Sequence, residues 1–198
     1  MLFRSSAAAD VTIRGSRTGE GLGGTCTLGD MDGDGKADLT VFASEATLWA
    51  MLGARGTYLV FYGRDSWPRV LEAGTDSDFV ITSSRLHSSA GPALLADVNG
   101  DHYDDLVVSW PLDHTKGRED PDEVQIWFGG ARRKGTLPAT AADVSIHSTE
   151  PKLGFGGALA ARDFDGDGIP DLVVSEPRRA SLYLLYGRKD WKIGRAHV

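Results

Sequence analysis

Short runs of β-branched and aromatic residues recur along the chain at a regular spacing, and helical periodicity is absent. Three such runs end in glycine and span residues 57–63, 123–129 and 181–187. Runs of this composition are typical of β-strands. A shorter alternating run recurs at residues 78–82 and 142–147, with a further copy at 9–14. The pattern predicts a chain built mainly of short strands.

An acidic segment also occurs three times, each time between two strand-like runs. The three copies, named loops 1, 2 and 3, span residues 30–38, 97–105 and 163–171. Their first aspartates lie 67 and 66 residues apart. Each repeat therefore contains four predicted strands: one before the loop, one directly after it, the strand that ends in glycine, and the alternating strand.

Four short strands in a repeat of this length are what a β-propeller blade requires, because each blade buries its faces against its neighbours. The sequence predicts an all-β fold, a β-propeller arc of about three four-stranded blades that forms an incomplete part of a larger propeller. We expect residues 1–20 to hold the outer strand of a preceding blade and a linker. The predicted blades are residues 21–86, residues 87–150 and a partial blade at 151–191. Residues 192–198 break the repeat, and we expect them to be a non-native tail.

Each loop places side-chain oxygens at positions 1, 3, 5 and 9, and the main-chain carbonyl of position 7 adds a fifth oxygen. Calcium prefers such sets of hard oxygen ligands. The predicted ligands are Asp30, Asp32, Asp34, Asp38 and the Lys36 carbonyl in loop 1; Asp97, Asn99, Asp101, Asp105 and the Tyr103 carbonyl in loop 2; and Asp163, Asp165, Asp167, Asp171 and the Ile169 carbonyl in loop 3. Loop 2 has His102 where the other loops have glycine, so we expect its site to be the weakest.

Two other interpretations of the loops compete with calcium in a propeller. An EF-hand needs a carboxylate at position 12, where the three copies have Val41, Val108 and Val174, and it needs helical flanks. Acidic turns that are simply solvated are the second alternative. Three copies at one period favour calcium, because crowded carboxylates repel one another unless a cation neutralises them. Magnesium fits less well, since it usually keeps several waters.

The third repeat resembles the FG-GAP repeat, the blade unit of the integrin alpha-subunit propeller. Phe155-Gly156-Gly157-Ala158 precedes loop 3, and Asp171-Leu172-Val173-Val174 closes it. The first two repeats match the motif less closely, with Leu22-Gly23-Gly24 in the first and residues 89–93 in the second. The resemblance extends over nearly all of the chain.

This resemblance implies a seven-bladed propeller, calcium in the loop between the two inner strands, and extracellular recognition through loops of the opposite face. We accordingly expect a secreted or cell-surface location and an extracellular protein or glycan as partner. The connections that topology places away from the calcium loops are residues 44–56, 111–122 and 176–180.

Composition excludes several other functions. The chain has 21 Lys and Arg against 28 Asp and Glu, a formal charge of −7, which disfavours nucleic acid as a partner. No apolar run is long enough for membrane insertion. The basic clusters at residues 132–134 and 178–179 are interpreted as solvated loops. The single cysteine, Cys26, excludes an intramolecular disulfide and is predicted to be a small buried residue.

No motif indicates catalysis. The G-x-G-x-x-G pattern at residues 19–24 is interpreted as a turn, because an acidic loop follows where a phosphate-binding helix should begin. We therefore expect a non-enzymatic module for extracellular adhesion or ligand recognition, with structural calcium in its loops. The alternative is an accessory propeller of a larger secreted hydrolase or lyase, whose catalytic domain lies outside this sequence.

Overall fold

The computed structural model describes residues 9–15, 21–44, 56–83, 91–110, 122–191 and 195–197. Within these ranges the secondary structure is almost entirely β, as predicted. The strands are β1 (Thr12–Arg14), β2 (Cys26–Gly29), β3 (Asp38–Ser44), β4 (Gly56–Phe61), β5 (Val70–Glu72), β6 (Phe79–Thr82), β7 (Ala93–Ala96), β8 (Asp105–Trp110), β9 (Glu123–Trp127), β10 (Gly135–Pro138), β11 (Val144–His147), β12 (Leu159–Arg162), β13 (Asp171–Glu176), β14 (Ser181–Leu185) and β15 (Arg195–His197). A single helical turn, α1 (Ala73–Asp76), and 3₁₀ turns at Ala139–Ala141 and Pro177–Arg179 complete the described elements.

Three antiparallel sheets correspond to the three predicted repeats. Blade 1 has the strand order β2-β3-β4-β6, and blade 2 has the order β7-β8-β9-β11. Blade 3 comprises β12, β13 and β14. Each acidic loop connects the first two strands of its blade, so the predicted order of strands and loops is confirmed. The residue boundaries between the repeats remain a prediction.

A fifth, parallel strand joins neighbouring repeats, and the sequence patterns did not indicate it. β10 comes from the second repeat but pairs in parallel with β6, the outer strand of blade 1. β5 pairs with β1 in the same way, and β15 pairs with β11. β1 thus pairs with β5 as β6 pairs with β10, and its assignment to the outer strand of a preceding blade remains a prediction. β15 lies in the segment 192–198, whose non-native origin remains a prediction.

The blades pack face to face around apolar cores. In β4, Tyr58 and Val60 face blade 2, whereas Leu59 and Phe61 face the other side of the sheet. This alternation follows from the two-residue repeat of a strand. Trp110 and Trp127 are fully buried in the core between blades 1 and 2. The core between blades 2 and 3 contains Val98, Val107, Val124, Ile126, Val144, Ile146, Phe155, Leu172 and Val174.

The exposure of the second residue of each loop shows whether a following blade covers that loop. Met31 and Val98 occupy this position in loops 1 and 2, and both are buried. Phe164 in loop 3 is 75% exposed, because no described element packs against that side of blade 3.

Cys26 is exposed, so the prediction that it is buried is wrong. It lies two residues from the exposed Leu28, on the same side of β2.

Gly156 is required where blade 3 contacts blade 2. Its φ is +78°, and a Cβ atom there would lie 2.2 Å from the Ser109 hydroxyl oxygen and 2.8 Å from a Val124 methyl carbon. We expect Gly156→Ala to lower the free energy of unfolding by about 2–4 kcal/mol, through left-handed strain and overpacking. Gly135→Ala is the control, since Gly135 has φ +73° with open space around it. Urea unfolding of both variants should give the smaller loss for Gly135→Ala; equal losses would contradict the packing role.

Candidate metal centres in the aspartate loops

The three loops share one hydrogen-bonding scheme, which begins at the first aspartate. In loop 1 the Asp30 carboxylate accepts hydrogen bonds from the backbone N–H groups of Gly33 at 2.8 Å and Gly35 at 2.9 Å. Asp97 and Asp163 accept the corresponding bonds in loops 2 and 3. The carboxylate at position 1 therefore fixes the turn in each copy.

The remaining side-chain positions repeat as well. The side chain at position 3 accepts from the N–H of position 5, and position 5 accepts from the N–H of position 7. These short-range bonds are typical of Asx turns. The aspartate at position 9 accepts from the N–H of position 2 and from the N–H of the glycine that follows the third strand. The scheme holds every proposed side-chain ligand in a defined orientation.

Positions 4 and 6 of each loop have positive φ values, which explains their glycines. In loop 2, position 6 is His102 instead of glycine, although its φ is also positive, at +75°. A histidine in this conformation is strained relative to glycine. The expectation that loop 2 is the weakest site rests on this residue and remains a prediction.

Carboxylates converge in two of the loops. Ligand atoms of Asp30, Asp32 and Asp38 lie within 4.8 Å of one another in loop 1, and those of Asp163, Asp165 and Asp171 do so in loop 3. The position-5 aspartates are outside these two groups. The structure thus brings together positions 1, 3 and 9, the core of the predicted ligand set.

Loop 2 differs because position 3 is an asparagine. The Asn99 Nδ2 donates hydrogen bonds to the Asp101 carboxylate at 3.0 Å and to the Asp105 carboxylate at 3.4 Å. The amide group therefore bridges two of the carboxylates that were predicted to bind the ion.

The aspartates at position 9 are the most buried acids of loops 1 and 2. Asp38 and Asp105 have no exposed surface. Burial raises the pKa of Asp38 to about 6, and the nearby Asp32 and Asp30 add to the rise, although the N–H donors of Gly63 and Met31 oppose it. Burial likewise raises the pKa of Asp105 to about 7, with smaller contributions from Asp101 and Asp97. In loops 1 and 2, burial thus disfavours the ionised form of the carboxyl group at position 9.

Two arginines predicted to lie in a solvated loop are instead ion-paired. Arg133 contacts the Asp143 carboxylate at 2.7 Å. The guanidinium of Arg132 contacts the carboxylates of Asp32 and Asp34 in loop 1. Sequence analysis missed Arg132 because about 100 residues separate it from its partners, and no local pattern indicates such a contact.

Comparison with known proteins identifies the repeat. The model of the FG-GAP repeat family matches residues 155–185, which include loop 3 and the strands on both sides of it. The segment 155–185 is an FG-GAP repeat. The propeller blades expected from the resemblance agree with the observed sheets, and the segment 155–185 is the repeat in which the motif is most complete.

The chain is similar to integrin alpha chains and to phosphatidylinositol-glycan-specific phospholipase D. Mouse integrin alpha-IIb is 28% identical over 168 residues, covering 82% of this chain and 15% of the relative. Integrin alpha-PS2 of Drosophila melanogaster is 30% identical over 187 residues, covering 89% and 13%. Bovine phosphatidylinositol-glycan-specific phospholipase D is 28% identical over 159 residues, covering 79% and 18%. The chain spans less than a fifth of the length of these relatives.

The candidate recognition loops are described only in part. Most of residues 44–56 and 111–122 lies outside the described residues. The third connection, 176–180, contains a 3₁₀ turn, and its Arg179 pairs with Glu150 of the preceding repeat. Within the described ranges, no helix is suited to crossing a bilayer.

Proposed function

We propose that this chain is a calcium-binding β-propeller module for extracellular adhesion or ligand recognition, in which calcium has a structural role. The observation that supports it is the threefold repetition of one acidic loop, with the same hydrogen bonds at the same place in each blade. The similarity to integrin alpha chains over most of the sequence supports the recognition role.

The residues of the loops fit a calcium ion. The donor set consists of carboxylate, amide and carbonyl oxygens, which calcium prefers over the nitrogen and sulfur ligands of zinc. The proposed ligands in each loop are the side chains at positions 1, 3, 5 and 9 and the position-7 carbonyl. When bound, calcium would neutralise carboxylates that burial and mutual repulsion now destabilise. The chain's own contribution is to hold these oxygens in place and to fix the blade turns.

Calcium should raise the melting temperature of the chain. An ion that binds only the folded state stabilises it by RT ln(1 + [L]/Kd), so a Kd of about 10⁻⁴–10⁻³ M gives about 1.4–2.7 kcal/mol per site at about 10 mM calcium. Thermal melts in chelator and in calcium measure the shift, and magnesium at the same concentration controls for ionic strength.

Loop variants test where the ion binds. Asp163→Asn with Asp165→Asn should remove one calcium from the stoichiometry measured by titration calorimetry. Asp190→Asn changes an exposed acid outside the loops and should leave the stoichiometry intact. A melting temperature that does not respond to millimolar calcium would refute the calcium role.

Recognition by the loops opposite the calcium sites requires a separate test. The calcium-loaded chain is applied to arrays of extracellular matrix proteins and glycans. Saturable binding that is lost when residues 111–122 are replaced by a Gly-Ser segment would support recognition. An absence of binding on both arrays would favour a purely structural module.

The second candidate is an accessory propeller of a secreted hydrolase. Its support is the similarity to phosphatidylinositol-glycan-specific phospholipase D from several mammals, at 27–33% identity. The full open reading frame separates the two candidates, since a catalytic domain in the same frame would favour the second.

A further inference from the structure

Arg132 reaches from blade 2 onto loop 1 of blade 1. Its Nε donates to the Asp32 carboxylate, and one terminal nitrogen donates to the Asp34 carboxylate at 2.9 Å. The guanidinium carbon also lies 5.0 Å from the ring centroid of the buried Tyr62. One cation therefore contacts two proposed calcium ligands at once. The Asp32 side chain is only 5% exposed beneath it.

Backbone contacts fix the place from which Arg132 extends. The Gly130 N–H donates to the Met31 carbonyl at 2.7 Å. Asp104 of blade 2 and Asp30 of loop 1 exchange two further bonds: the Asp104 N–H donates to the Asp30 carbonyl at 2.9 Å, and the Asp30 N–H donates to the Asp104 carboxylate at 2.8 Å. The approach of Arg132 to loop 1 is therefore built into the contact between the blades.

The turn that follows β14 contacts loop 2 in the same way as the turn with Gly130 contacts loop 1, but it carries different residues. The Arg188 N–H donates to the Val98 carbonyl at 3.0 Å, as the Gly130 N–H does to Met31. Two residues further along the chain, the second repeat has Arg132 and the third has Asp190. The sequence position that supplies a cation to loop 1 is therefore occupied by an acid in the third repeat. Loop 3 has no described element over it.

We propose that Arg132 is an internal counter-cation of loop 1, which neutralises Asp32 and Asp34 when calcium is absent and which calcium must displace in order to bind there. This inference rests on the calcium role proposed above. The carboxylate oxygens that hold a guanidinium cannot also be shared fully with a divalent ion. Loop 1 therefore keeps its shape without metal at the expense of calcium affinity, whereas loop 3 depends on the ion.

The test compares Arg132→Gln with Arg133→Gln in the full chain. To observe loop 1 alone, both are placed in a background with Asp97→Asn and Asp163→Asn, which weakens loops 2 and 3. Arg132→Gln should tighten the calcium Kd of loop 1 about 2- to 10-fold, as expected for loss of a partly exposed ion-pair network. Arg133→Gln removes the pair with Asp143 and should leave this Kd unchanged.

Melting temperatures provide the second readout. Arg132→Gln should melt below the parent in chelator and should match or exceed it in saturating calcium. A merely structural role would lower the melting temperature equally in both conditions, and that result would overturn the proposal. Arg132→Lys retains the charge and should give intermediate values, so the comparison survives if Arg132→Gln does not fold in chelator.

Failure of this proposal is distinguishable from failure of the calcium role. If the parent binds calcium in loop 1 but Arg132→Gln leaves the Kd unchanged, the counter-cation is refuted while the calcium role stands. If neither the parent nor Arg132→Gln binds calcium in any loop, both proposals are refuted.

Discussion

Asp105→Ala should lower the free energy of unfolding by about 2–4 kcal/mol, because it removes a buried side chain and leaves the Gly129 N–H without an acceptor, while the Val98 N–H keeps only the Ala96 carbonyl. The fully buried carboxylate accepts hydrogen bonds from Val98 and from Gly129, each at 3.0 Å. Loss of the charge also relieves repulsion from the other aspartates of loop 2, which is why the expected cost is not larger. For a chain of this size the melting temperature should fall by about 4–16 °C.

Asp105→Asn is the matched control for this prediction. The amide is nearly the same size as the carboxylate and retains one acceptor oxygen. Asp105→Asn should therefore lose only about half as much stability as Asp105→Ala. Thermal melts in chelator measure the structural role separately from calcium. Equal stability of Asp105→Ala and the parent protein would show that the carboxylate does not organise the turn.

Trp110→Ala should lower the free energy of unfolding by about 3–5 kcal/mol, since it creates a large cavity at the contact between blades 1 and 2. The Trp110 ring is 1% exposed and lies 4.8 Å from the Tyr58 ring in an edge-to-face arrangement. Its Nε1 donates to the Gln125 side-chain oxygen at 2.8 Å, and Gln125 in turn donates to Glu123. The substitution therefore creates a cavity and leaves a buried amide oxygen without its donor.

Trp67→Ala removes the same side chain from a less buried position and serves as the control. The Trp67 ring is only half-buried and stacks against the Arg64 guanidinium at 4.6 Å. Denaturant unfolding should show a clearly smaller loss for Trp67→Ala. A loss as large as that of Trp110→Ala would mean that the contact between blades 1 and 2 contributes no more than a surface contact.

The acidic loops could be predicted in detail because their contacts are local. Asp30 accepts from residues three and five positions ahead, and Asp38 accepts from a residue seven positions back. Such contacts recur wherever the same short sequence recurs. Loop 2 departs from the others through Asn99 and His102, and both differences are visible in the sequence.

Other features depended on which blade lies next to which. β10 pairs in parallel with β6 of the preceding repeat, although its own residues, Gly135–Pro138, contain no strand-like run. The exposure of Cys26 could not be foreseen either, because its strand alone does not reveal which side is covered.

The sequence by itself determined the repeat, the order of the strands and the three oxygen-rich loops, because strand alternation and turn chemistry act over a few residues. Only the tertiary structure decided that Arg132 pairs with Asp32 and Asp34 of another blade, and that no arginine among the described residues pairs with loop 2 in this way. The physical reason is that ion pairs between blades depend on packing that joins residues about 100 positions apart. Loops with similar sequences therefore have different electrostatic surroundings in the folded protein.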